Sequence, residues 1–357
     1  MSERFDLVIL GAGLSGLALG AAMAQSGRRL RTLVLEPREI RPNPRQWVFP
    51  TYPSHALRRY EAGRLTGFEV ESLNGAVLHR PLDRLVLARV PAQTVQDAAL
   101  DLMASEPRLV LETGVRIDQI RRSRSRVLVD TGIGVIRTSW LVDTRPPEDV
   151  GLPAGRGVQL STLVSAPLDG GLDERVRIKL ASADAPLLDQ WILSRDHAVQ
   201  EQARFTLAPP SSPPAALQTD RLQEWGVPTD SLRHAQGVWP LAYRPLRRGG
   251  GRVILAPADA YGLRFAPGMA AVRLHRWAQI QARRLSYGLS LYAPPPPPHS
   301  ARLSTLRIEA MIARSPRQAA SGLHALLYEA PADGVMRTLS GTASWSDLMR
   351  AWRSGSW

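Results

Sequence analysis

Residues 7–24, LVILGAGLSGLALGAAMA, run for 18 positions without a charge. Such a stretch narrows the fold to a secretory leader, a membrane span, or the buried wall of a nucleotide site. The preceding MSERFD mixes charges, and no small-residue cleavage site ends the run, which argues against a leader. Eighteen residues are short for a span, and four of them are glycines. Inside the run, Leu7–Leu10 has the pattern of a buried strand and Leu14–Gln25 that of an alanine-rich helix. Between them stands Gly11-Ala12-Gly13-Leu14-Ser15-Gly16, the spacing G-x-G-x-x-G.

Each glycine has a distinct reason. Gly11 permits a tight strand-to-helix turn, Gly13 lets the backbone approach a pyrophosphate, and Gly16 lets the helix lie close to the strand. The free N–H groups at the helix N-terminus and its positive end then face the phosphates. A second strand, Thr32–Leu35, ends in Glu36, 20 residues past Gly16, where an acid receives the ribose hydroxyls. The unit is expected to bind a dinucleotide. Its position near the start of the chain favours FAD over NAD, by analogy at the level of fold.

Downstream, PREIRPNPRQWVFP is expected to be a proline-punctuated loop. Leu85–Val90 and Leu109–Glu112 are predicted strands flanking a helix over Gln93–Met103. A meander follows (Val115–Ile120, Arg126–Asp130, Val135–Arg137), then a buried strand Trp140–Asp143. From residue 157 to about 246 the pattern alternates as in a broad antiparallel sheet, interrupted by a loop at 208–217. Arg252–Leu255 is a strand, and a long helix starts near Gly268. Pro294–Pro298 is a stiff spacer before amphipathic helices over 301–352.

The net charge of +13 rests almost wholly on arginine, Lys179 being the only lysine. Arginine-rich usage accompanies GC-rich coding. As a functional feature it points to anionic phosphate, and no nucleic-acid motif is present, so a membrane surface is the expected partner. With no cysteine there is no disulfide or thiolate site, and the seven histidines lack metal-ligand spacing.

The order of blocks is similar to that of the FAD-dependent lycopene cyclase family of carotenoid biosynthesis. The likeness covers nearly the whole chain: DLVILGAGLSGLAL, RQWVFP, VLARVPAQTVQDAALDLM, GVQLSTLVSAPL, LSRDHAVQEQARFTL, LRHAQGVWPL, DAYGLRFAPGMA and LLYEAPADGVMRTLSGTASWSDLMRAW. It implies an α/β protein with a Rossmann-type FAD-binding domain (1–45, 85–150 and 250–290), an antiparallel-sheet substrate domain (46–84 and 151–249) and a C-terminal helical region (300–357). It implies a lycopene β-cyclase that requires reduced FAD, with NAD(P)H as reductant. Such an enzyme protonates a polyene end, lets the cation close a ring, and removes a proton. It would be cytoplasmic and peripherally attached to the membrane, where lycopene resides, through arginines and the amphipathic C-terminus (Trp345, Met349, Trp352, Trp357).

By the same resemblance, Glu201 matches the glutamate responsible for cyclisation, whereas Gln202 and Ala203 replace the family's second acid and threonine. Glu201 is otherwise a strand acid paired with Arg204 or Arg195. Asp259 is a displaced stand-in for a flavoprotein Gly-Asp, and Gly268 with Met269 should face the flavin, although a helix start also explains Gly268. Asp143 with Arg145 either closes the nucleotide site or simply ends a strand. Trp47, Trp191 and Trp239 either line a polyene tunnel or pack a core. Two other functions stay open: a redox flavoprotein of the same fold (hydroxylase or prenyl reductase), and an inactive polyene-binding protein.

Overall fold

A computed structural model describes residues 4–27, 30–43, 46–52, 54–123, 126–145, 157–164, 175–180, 187–193, 199–207, 233–240, 252–256, 267–293, 315–340, 344 and 346–347, four of the strands by backbone alone. The chain opens with β1 (Arg4–Leu10), α1 (Leu14–Gln25) and β2 (Thr32–Glu36). Next come β3 (Gln46–Thr51), a 3-10 turn, β4 (Gly63–Leu65), β5 (Gly67–Glu71), β6 (Val77–Pro81) and β7 (Val86–Pro91). Helix α2 (Ala92–Ala104) precedes β8 (Leu109–Thr113), β9 (Ile117–Arg122), β10 (Val127–Thr131) and β11 (Gly134–Asp143). The large sheet adds β12 (Gly157–Val164), β13 (Arg175–Leu180), β14 (Leu187–Leu193), β15 (Val199–Leu207) and β16 (Arg233–Pro240). Then follow β17 (Val253–Leu255) and the helices α3 (Pro267–Ser286), α4 (Pro316–Glu329) and α5 (Ala332–Leu339).

The first sheet runs β8-β2-β1-β11-β10-β9, with β17 beside β11. β8, β2, β1, β11 and β17 are mutually parallel, and β9–β11 form the antiparallel meander. Both faces are covered, which is why β1 and β2 are continuous apolar runs. Leu7 and Ile9 face α1 and α3, while Val8 and Leu10 face the cluster that includes Val127 and Val129 of the meander. Helix α1 is buried on almost every side, hence its unbroken apolar composition. At 12 residues it is a core helix, and no described helix is long and apolar enough to cross a membrane.

Two expected elements differ. The tail of PREIRPNPRQWVFP is a strand, β3, paired antiparallel to β7. Both its faces find a core: Trp47 and Phe49 join one cluster and Val48 another. The prolines 42 and 44 precede the strand, and Pro50 is tolerated because β3 is an edge of the small sheet β3-β7-β4. The two segments Val135–Arg137 and Trp140–Asp143 are one strand, β11, whose first half pairs with β10 and whose end pairs with β17 along the same edge. Ser139 falls at the handover, where the pattern changes neighbours without changing strand.

The second large sheet has the order β16-β12-β15-β14-β13-β5-β6. Its β5–β13 pair is parallel and is laced by charge: Glu69 accepts from Arg175 and Arg177, and Glu71 from Arg177 and Lys179. Burial alone raises the Glu69 pKa, but Arg177 and Arg175 outweigh it and hold the carboxyl below its usual range. On this sheet Val176 and Ile178 pack against Leu323, Leu326 and Leu327 of α4.

The C-terminal helices are fastened by two side chains. Arg80 on β6 donates to the carbonyls of Leu327 and Tyr328 at 2.7 Å and to that of Ala330, satisfying the orphan end of α4. Asp333, in the first turn of α5, accepts from the amides of Asp83 and Arg84 at 3.0 Å. These link a turn near residue 80 to helices some 250 positions later.

Candidate dinucleotide site

The site forms where the chain leaves β1 and the sheet reverses direction, with β2 on one side of β1 and β11 on the other. Gly11 has a φ of +94°, and its amide donates to the Leu35 carbonyl at 2.7 Å. A side chain there would be strained by that φ and would stand 2.8 Å from Thr144 Oγ1. A Cβ on Gly16 would lie 1.8 Å from the Gly11 carbonyl oxygen, so the helix could not approach the strand. Gly13 is different: a Cβ there meets nothing within 4 Å. It is the N-cap of α1, and no side chain caps the helix. The open amide end of α1 therefore suits an anionic group.

Glu36 ties the second strand to the loop. Its Oε2 accepts from the Ala12 amide at 2.6 Å and its Oε1 from the Arg38 amide at 3.1 Å. The carboxylate keeps lone pairs for further donors, and its own bonds fix where they point. Five of the fingerprint residues, Gly11, Ala12, Gly13, Leu14 and Gly16, thus share one turn with Glu36 beside them.

Beyond the glycines lies a pocket lined by Ala12, Gly13, Leu14, Trp47, Gln96 and His275, with Leu17, Val95 and Ala99 among its apolar contributors. Its empty space, mouth included, is about 440 Å³. Trp47 stands here, buried. The loop after β2 is pinned against α2: Gln93 Oε1 accepts from the Asn43 amide at 2.5 Å and Gln96 Nε2 donates to the Arg41 carbonyl at 2.9 Å. The sequence signal for this fastening is two glutamines three apart on the first turns of α2.

Thr144 is the other residue that the motif did not announce. Its hydroxyl donates to the Leu10 carbonyl at 2.8 Å and lies 3.1 Å from the Gly11 oxygen, clamping the turn. Asp143, its neighbour, is buried, and both its carboxylate oxygens accept from the Arg145 guanidinium, at 3.0 and 2.8 Å. The pair closes the strand end, while Thr144 touches the loop.

His275, near the middle of α3, is 7% exposed. Burial, with the Arg59 charge beside it, pulls its pKa down to about 4, so the ring is neutral at pH 7. Its Nδ1 is sealed from solvent with no hydrogen-bond partner. Tyr60 meets it edge-on at 6.4 Å.

Other expected site residues are located by element or register alone, or fall outside the described residues. Glu201 is on β15, in register with Val164 of β12 and Ile192 of β14, with Gln202 and Ala203 next to it. Trp191 and Trp239 are positions on β14 and β16. Gly268 and Met269 fall in the first turn of α3. Asp259, residues 208–217, Pro294–Pro298, Trp345, Met349, Trp352 and Trp357 lie outside the described residues. Among the described residues no group of acids and histidines is arranged to hold a metal ion.

No family model matches this chain, and no curated protein sequence matches it. Solved structures do. A geranylgeranyl bacteriochlorophyll reductase-like protein from Thermoplasma acidophilum is 12% identical, aligning over 98% of this chain and 96% of its own with a TM-score of 0.63. A flavoprotein/dehydrogenase from Cytophaga hutchinsonii is 11% identical over 99% and 100%, with a TM-score of 0.61. Aklavinone-11 hydroxylase, solved with FAD and aklavinone, is 16% identical over 89% and 70%, with a TM-score of 0.54. At these identities the likeness is one of fold: the chain shares with those structures a mixed α/β architecture with a parallel sheet core.

Proposed function

We propose that this protein is an FAD-dependent enzyme acting on an apolar substrate. The observation that carries the reading is the loop itself: Gly11 and Gly16 where close contacts demand them, Gly13 at an open α1 terminus, and the Glu36 carboxylate fixed beside it. The diphosphate would lie on the amides of Gly13 and Leu14, and the adenosine ribose would meet Glu36. When bound, FAD supplies a reversible two-electron carrier held beside the substrate. The Rossmann half does not choose between redox substrates. The solved structures of like fold bear the names of a reductase-like protein, a dehydrogenase and a hydroxylase, which favours a redox flavoprotein, either a prenyl reductase or a hydroxylase with NAD(P)H as reductant.

A second reading, lycopene β-cyclisation, is favoured by the chain-long resemblance and by one register. Glu201 stands opposite Ile192, which stands opposite Val176, a residue buried beneath α4. A carboxylic acid in an apolar cavity has a raised pKa and can protonate a terminal double bond. Here Glu201 would supply that proton, and the carboxylate so formed would take back the proton lost from the ring, which restores both to neutrality. Substrate delivery from a bilayer would go with peripheral attachment, which liposome co-sedimentation at low and high salt tests.

The deciding experiment is the purified protein's flavin content, followed by two assays. One is NAD(P)H oxidation with prenyl substrates and with oxygen. The other is pigment chromatography of a lycopene-accumulating host expressing wild type or Glu201→Gln. Hydride consumption with saturated or hydroxylated product supports the redox reading. Conversion to γ- or β-carotene by the wild type alone supports the cyclase. Protein that folds and binds no flavin overturns both.

A further inference from the structure

His275 is no part of the glycine fingerprint, yet it lines the same pocket as Ala12, Gly13 and Leu14. Its imidazole is nine-tenths buried, and its Nδ1 has no partner. A buried ring of this kind is costly, and a leucine would fill the volume without the orphan nitrogen. The orphan also fixes the tautomer. A buried N–H without an acceptor is rarer than a buried lone pair without a donor, so the ring proton belongs on Nε2. The guanidinium of Arg59 acts on the ring electrostatically and disfavours a second proton. The pocket therefore holds a neutral imidazole whose available group is a single N–H donor.

An apolar polyene has nothing to accept such a bond. The diphosphate and the ribityl chain of a flavin dinucleotide are oxygen throughout. Resting on the FAD reading above, we infer that His275 Nε2–H is a binding contact to an oxygen of the diphosphate–ribityl segment. It reaches the cofactor from α3. Its role is positioning: it orients the diphosphate–ribityl segment and passes no proton.

The test measures FAD and ADP affinities by titration for wild type, His275→Leu and His275→Gln, the glutamine amide offering an N–H in place of Nε2–H. His275→Leu is expected to weaken FAD about tenfold, the loss of one hydrogen bond, with His275→Gln within about threefold of wild type. An equal loss for ADP assigns the contact to the diphosphate, and a loss for FAD alone assigns it to the ribityl chain. Nitrogen-15 NMR of the histidine rings is independent of the variants' folding. The His275 ring should be in the Nε2–H form without flavin, and that N–H should shift when FAD is added. Wild type that binds FAD while His275→Leu binds equally and the ring resonance stays put overturns this inference and leaves the FAD reading standing. Wild type that binds no FAD overturns the FAD reading first.

Discussion

The carboxylate of Glu36 accepts the Ala12 amide at 2.6 Å, so the residue expected to meet the ribose also shapes the loop expected to meet the phosphates. Removing it should strike both. Glu36→Ala is expected to weaken FAD binding by roughly 10- to 100-fold, since charge-assisted hydrogen bonds are worth about 1.5–3 kcal/mol. Fluorescence titration of FAD gives the affinity, and thermal unfolding separates that loss from a stability effect.

Gly13 and Gly16 should respond oppositely to alanine. At Gly16 the new methyl would sit 1.8 Å from a backbone oxygen, and the strand and helix must part. A loss of about 3 kcal/mol or more is expected there. At Gly13 the methyl enters open space at an ordinary φ of −74°, so stability should change by less than about 1 kcal/mol. Flavin binding should nonetheless suffer, because that space is where the phosphate needs to come. Urea midpoints and flavin content of the two variants check the contrast.

Acid should weaken the fold before its carboxylates titrate. His275 has a pKa of about 4 when folded and about 6.5 when unfolded, so between those values the unfolded chain binds the extra proton. The stability due to neutral His275 is complete above pH 6.5 and declines as pH falls toward 4. From pH 7 to 5 the drop should be about 2 kcal/mol. Burial and then Arg59 are the causes. Glu69, whose folded pKa is depressed, loses its contribution only as pH falls below about 4.5. Urea unfolding of wild type and His275→Gln at both pH values isolates the histidine: the variant should lack most of the drop.

Arg80 should matter far from its own strand. Arg80→Ala leaves the carbonyls of Leu327, Tyr328 and Ala330 without their guanidinium. A cost of roughly 2–3 kcal/mol is expected, with faster amide exchange concentrated in α4 and α5. Exchange that accelerates uniformly through β1 and β2 would count against a local fastening.

The glycine turn and its flanking strands were legible because their geometry is local. Gly11, Gly16 and Glu36 lie within 26 positions, and their spacing alone encodes a turn, a close contact and an acid. What the sequence does not display is what the chain assembles from afar. Nothing near Thr144 or His275 advertises Leu10 or Gly13, because those contacts arise only when β11 and α3 dock on β1 and α1. Trp47 to Phe49 hid for another reason. Prolines upstream signalled a loop, and a strand with both faces buried lacks the alternation that would have argued back. β11 was divided in two because its edge changes partners at Ser139, a change of neighbour that hydropathy does not record.

The bond from Thr144 to the Leu10 carbonyl also sets an order of events in synthesis. The glycine fingerprint is complete once residue 16 is translated, but the clasp that holds its turn follows more than a hundred residues later, and α3 later still. At about 5–20 residues per second the fingerprint waits many seconds, apolar and uncommitted, until the rest of its sheet exists. A nascent fragment ending before residue 144 thus carries the fingerprint without its clasp.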